Sequence, residues 1–144
     1  MTNVEKAISN FRDDLNCAQS VLSTFSSQLG LSLDTALKLA SGFGGGMGRL
    51  GNTCGAVTGA FMVIGLKYGM GINRNIEAKE KTYQLVRKFS EKFQDLHGSL
   101  KCKQLLGCDI NTPEGKDYFN QNDLFEKNCL QYVKSAVEIL EEII

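Results

Sequence analysis

The chain has 144 residues, with 15 glycines, 5 cysteines, 1 proline and no tryptophan. Its 16 Lys and Arg balance 16 Asp and Glu, so no net field draws it to nucleic acid or to an anionic membrane surface. Residues 1–144 are expected to form a single domain able to bury a core without disulfide staples.

The segment from Met1 to Asp14 has no apolar run of the kind a secretory signal carries, which predicts a cytoplasmic chain in a reducing compartment. In that setting five thiols read as buried small hydrophobes, metal ligands or a redox couple. The longest uncharged stretch, Leu50 to Leu66, is interrupted by four glycines. It falls short of the roughly 20 apolar residues a membrane span needs, so it reads as a buried core helix.

In chain order, Val4, Ala7, Ile8, Phe11, Leu15, Ala18, Leu22, Phe25 and Leu29 recur at helical spacing and predict one helix from Asn3 to Gln28, with Cys17 on its flank. Gly30 is placed to end it. A second helix spans Leu33 to Ser41. A glycine loop, Gly42 to Gly51, follows, and Asn52 or Thr53 caps a third helix running to Tyr68. Gly55 and Gly59 lie four apart and leave a bare face for another backbone, which also makes a homodimer an expected arrangement alongside a monomer. Glu77 to His97 reads as a long amphipathic helix with Leu85, Val86, Phe89, Phe93 and Leu96 inward. Ser99 caps a short helix carrying Cys102 that Gly107 stops, and Thr112-Pro113-Glu114 opens another. The last helix, Leu124 to Ile143, is expected to bury Phe125, Cys129, Val133, Ala136, Val137 and Leu140. No alternating pattern predicts strands. The fold class is all-α, a compact multi-helix bundle around the Gly-flanked central helix.

Within the loop, Gly46-Met-Gly48-Arg-Leu-Gly51 has the spacing GxGxxG. A dinucleotide site also needs a preceding strand and an acidic residue about 20 positions on, and here a helix precedes the loop. The glycines instead allow positive φ and bring backbone N–H groups toward an anion, whether phosphate, thiolate or an iron–sulfur cluster. Gly45, Gly46, Gly48, Gly55 and Arg49 are the candidate cofactor contacts. Arg49 is the only charge between Gly42 and Leu66, either a countercharge or a solvated side chain.

Cys54 and Cys102 are each predicted in the first turn of a helix, where unpaired N–H groups favour thiolate over thiol. Cys108 lies six residues beyond Cys102, on another side of a continuous helix. The absence of CxxC argues against a thioredoxin-like dithiol or a zinc ribbon. His97, the single histidine, is either a ligand near Cys102 or a helix-terminal cap.

Taken together, Asn16-Cys17-Ala18-Gln19, GFGGGMGRLGNTCGAVTGA, Ser99-Leu-Lys-Cys102-Lys-Gln-Leu-Leu-Gly107 and Cys129 before an acidic amphipathic helix resemble the C_GCAxxG_C_C family. Its members are redox-active proteins of bacteria and archaea, many of them anaerobic. The resemblance maps the family's four cysteines onto Cys17, Cys54, Cys102 and Cys129, with Thr53 where the family name has Gly and Cys108 left as an extra thiol, an alternative metal ligand or a resolving partner. It also implies a relation to the iron–sulfur domain of split-Soret cytochrome, with no haem attachment motif in this chain. The expected function is a small electron-transfer or redox-sensing protein that binds an iron–sulfur cluster through metal-ligand cysteines and serves a redox partner protein. The alternatives are a dithiol/disulfide oxidoreductase in which Cys54 attacks and Cys102, Cys108 or Cys129 resolves, and a zinc-stabilised interaction module.

Overall fold

The computed structural model describes residues 1–144. It contains eight α-helices and no strand: α1 (Asn3–Arg12), α2 (Cys17–Ser26), α3 (Leu33–Ala40), α4 (Gly55–Tyr68), α5 (Ile76–His97), α6 (Cys102–Leu106), α7 (Pro113–Gln121) and α8 (Leu130–Ile143). The fold is all-α, as the sequence predicts.

The bundle is organised around α4, which packs against α2, α5 and α8. Ala56, Val57, Ala60, Val63 and Ile64 of this helix are fully buried, because its sequence is apolar on every side and can be satisfied only in the interior. Gly55 and Gly59 let α2 approach closely. A Cβ on Gly59 would lie 2.8 Å from the Ala18 carbonyl oxygen, and one on Gly55 3.0 Å from the Ala18 nitrogen. This face is covered by the chain's own α2, which removes the argument that it pairs two copies. Phe89 and Phe93 of α5 are also fully buried and join one core of 26 residues. Truncating either to Ala would cost about 3–5 kcal/mol.

Five expectations differ, two of them caps: α4 is capped by Cys54 rather than Asn52 or Thr53, and α6 by Lys101 rather than Ser99. The first helix is two helices, because the chain breaks after Arg12, with Asp14 at φ 65°. Asn16 then starts α2 by a reciprocal capping box, its side-chain oxygen accepting from the Gln19 amide at 2.8 Å while Gln19 accepts from the Asn16 amide at 3.0 Å. Ahead of α8, Phe125–Cys129 forms a π-helical turn. Its wider turn shifts the apolar register, so Phe125 is exposed and Cys129 half-buried. On α5, Leu96 is exposed. His97 takes the inward place, 4.7 Å from the Phe93 ring and 4.9 Å from Tyr132 between centroids, with Nε2 2.9 Å from the Ser135 hydroxyl.

The terminators fall where glycine predicts. Gly30, Gly98 and Gly107 occupy the left-handed region at helix ends, and Thr112 with Pro113 opens α7. No helix is long and apolar enough to cross a membrane.

Candidate functional site

Between α3 and α4, the glycine loop traces an unusual path. Gly45, Gly46, Met47, Gly48 and Arg49 all have φ between 60° and 69°, five successive residues in the left-handed region. For Met47 and Arg49 this conformation costs roughly 1–2 kcal/mol each, which surrounding bonds must hold in place. The amides of Gly48, Arg49, Gly51 and Asn52 reach back to the carbonyls of Gly42, Gly44, Gly45 and Gly46 at 2.9–3.1 Å. The amides of Gly45 and Gly46 themselves donate to no acceptor in the protein, although Gly46 is buried. Unpaired buried N–H groups are rare and call for a partner.

Asn16 anchors the start of this loop. Its side-chain amide donates to the Ala40 and Ser41 carbonyls at 3.3 and 3.1 Å, and a Cβ on Gly44 would sit 2.8 Å from the Asn16 Cβ. The end of the loop is tied to the α6 segment by an antiparallel bridge between Thr53 and Lys101. Around that bridge, the Cys54 amide donates to the Leu100 carbonyl (2.8 Å), Cys102 to Asn52 (2.6 Å) and Lys103 to Gly51 (3.1 Å). Cys54 and Cys102 are thereby fixed side by side. Gly46 fits directly behind them, where a Cβ would lie 2.6 Å from the Asn52 nitrogen and 2.8 Å from the Cys102 Cβ.

The result is a cleft of about 790 Å³. Cys17, Cys54, Cys102 and Cys129 all line it, together with Gly45, Gly46, Gly48, Arg49 and Gly55. Cys17 opens α2, Cys54 is the residue before α4, Cys102 opens α6 and Cys129 ends the π turn before α8. Four elements distant in sequence thus deliver one thiol each. Cys108 is not on the wall of the cleft, and His97 lies behind Tyr132 rather than on it.

Burial decides the charge of these thiols. Cys54 is 4% exposed and its thiol is pushed up to about 12 by desolvation, which the amides of Ala56 and Val57 offset only in part. Cys102 is pushed up to about 12 for the same first reason. The expectation that helix N-termini make both of them thiolates is overturned, because the loss of water outweighs the dipole. Cys54 stands at the cap position rather than in the first turn. The Cys17 and Cys129 thiols are neighbours in the cleft, each the largest influence on the other's hold on its proton. That influence holds Cys129 below the usual thiol range and Cys17 well above it.

The donor set bears on what this cleft can hold. A tetrahedral ion with metal–sulfur bonds of about 2.3 Å draws its sulfurs to about 3.8 Å from one another. No three His, Cys, Asp or Glu side chains converge closely enough to hold one metal ion, so the arrangement gives no support to a zinc-stabilised module.

Several wall residues carry no signal in the sequence: Phe11, Lys116, Phe119, Asn120 and Tyr132. Only the spacing 116, 119, 120, one face of a helix, hints that three of them act together.

The family model described as "Putative redox-active protein (C_GCAxxG_C_C)" matches residues 15–143. A protein of Archaeoglobus fulgidus with the description "Uncharacterized protein" is 30% identical over 151 residues, covering 96% of this chain and 93% of its own. No solved structure matches the chain.

Proposed function

The chain belongs to the C_GCAxxG_C_C family of redox-active proteins, and we propose that Cys17, Cys54, Cys102 and Cys129 hold an iron–sulfur cluster used in electron transfer or redox sensing. One observation carries the reading: four thiols from four separate elements meet at one cleft beside two glycine amides that lack acceptors. When bound, such a cluster supplies one-electron chemistry at a potential set by its surroundings.

The chain's own residues have defined tasks in this reading. Gly45 and Gly46 offer N–H groups to sulfur, which lowers the cost of added negative charge. Gly55 has no Cβ, and one there would come within 3.1 Å of the Cys17 Cβ. Arg49 places a positive charge on the wall, and Phe11, Leu105 and Leu106 keep water from the sulfurs.

Iron and acid-labile sulfide, measured after anaerobic isolation or reconstitution, test the proposal. Serine at position 17, 54, 102 or 129 is expected to abolish or strongly reduce both, whereas Cys108→Ser retains them. Iron-free protein after reconstitution, or a Cys108→Ser loss equal to the other four, would overturn it.

A second reading pairs Cys17 with Cys129, two thiols of the same cleft wall that act on each other's proton affinity. In it these two, less buried than Cys54, form a disulfide. Exchange with oxidised glutathione would join their sulfurs and release two molecules of reduced glutathione. Peptide mapping of metal-free protein after that treatment should yield a Cys17–Cys129 link; glutathione attached at Cys108 alone would exclude this pair.

A further inference from the structure

Beyond the cysteines, the same cleft carries a second kind of chemistry. Its volume of about 790 Å³ lies within the roughly 300–1,000 Å³ typical of small-molecule sites. Lys116, Phe119 and Asn120 occupy positions i, i+3 and i+4 of α7, and all three reach the wall, so one face of this helix is turned to the cleft. That face offers a cation, an aromatic ring and an amide. Arg49, from the left-handed loop, adds a second cation. Neither Arg49 nor Lys116 joins any of the four ion pairs in the protein, and Asp14 is the one carboxylate on the wall.

The apolar part is equally specific. Phe125 stacks on Phe11 with centroids 4.2 Å apart and planes 12° from parallel, yet remains 37% exposed. A large ring left open on a wall that the half-buried Phe119 also lines is a surface for a flat apolar body. None of these side chains supplies a sulfur ligand.

We infer that this wall, formed by Arg49, Lys116, Phe119, Asn120 and Phe125, binds a small organic anion with a planar apolar body. The inference rests on the reading above only in its consequence, which is that the redox centre acts on a small molecule bound in its own cleft. Arg49 and Lys116 take the anionic group, Asn120 supplies a further donor, and the two phenylalanines hold the body.

The probe is 2-naphthoate, followed by equilibrium dialysis and calorimetry on the protein as isolated anaerobically and on metal-free protein, with 2-naphthamide as the neutral counterpart. Saturable one-to-one binding of naphthoate is expected, about tenfold tighter than the amide. Lys116→Gln should remove most of that preference, and Phe119→Ala should weaken both ligands by a similar factor. Lys116 is exposed, so Lys116→Gln should leave the thermal midpoint unchanged, whereas Phe119 packs half-buried against the core and Phe119→Ala should lower it. Equal affinity for acid and amide, indifference to both substitutions, or no saturable binding would overturn the inference. Colourless protein that still binds naphthoate in this pattern keeps the site and sinks the cluster. Brown protein that ignores naphthoate does the reverse.

Discussion

Gly46 and Gly48 both have positive φ, 69° and 60°, but only one of them has a neighbour in the way. Alanine at 48 would meet nothing within 4 Å and would bear only the left-handed penalty of about 1–2 kcal/mol. Alanine at 46 bears the same penalty and also drives its Cβ to 2.6 and 2.7 Å from the Asn52 nitrogen and oxygen. Those are backbone atoms with no rotamer to escape into, and overpacking of this kind adds about 1–3 kcal/mol. The Asn52 oxygen also receives the Cys102 amide at 2.6 Å, so the displacement moves a cysteine of the cleft. At about 2–4 °C per kcal/mol for a chain near this size, Gly48→Ala should lower the thermal midpoint by roughly 4 °C and Gly46→Ala by roughly 10 °C. Circular dichroism of the metal-free proteins measures both. Midpoints within about 1 °C of each other would refute the claim that Gly46 is required by close approach as well as by its dihedral.

The same logic gives opposite signs within one helix. Gly59→Ala should destabilise by about 1–3 kcal/mol, because its Cβ meets the Ala18 backbone. Gly65→Ala, which faces open space in α4, should stabilise by about 0.5–1 kcal/mol, and urea midpoints at a constant slope would show both. Burial holds the His97 imidazole below its ordinary value, so the unfolded chain binds a proton that the folded chain refuses. Stability is thus full above about pH 6.5 and falls as pH drops from there to the folded value, then levels. His97→Gln should flatten that decline in a series of unfolding curves between pH 7.5 and 5.

Helix ends were legible because each is written in a few residues with a local cause: Gly30, Gly98, Gly107 and Thr112-Pro113. The break between α1 and α2 was harder, since Phe11, Leu15 and Ala18 keep the apolar stripe in phase across it. The readable trace is the Asn16-x-x-Gln19 box. The convergence of four cysteines was suggested by motif resemblance, but their protonation was not. A helix N-terminus can be located in a sequence, whereas loss of water around Cys54 depends on what packs over it. The left-handed run was half visible: glycine spacing permits positive φ, but nothing local assigns it to Met47 and Arg49. Phe125 escaped because a π turn changes phase without a compositional mark.

The bridge between Thr53 and Lys101 sets a timescale as well as a position. The amides of Cys54, Cys102 and Lys103 are held outside any helix ladder, so they can be released while every helix stays intact. The interval between openings of that short strap, seen as slow hydrogen exchange at those three amides, is the time for which Cys54 and Cys102 stay held side by side. The cleft therefore answers to a local opening free energy, distinct from the stability of the bundle that surrounds it.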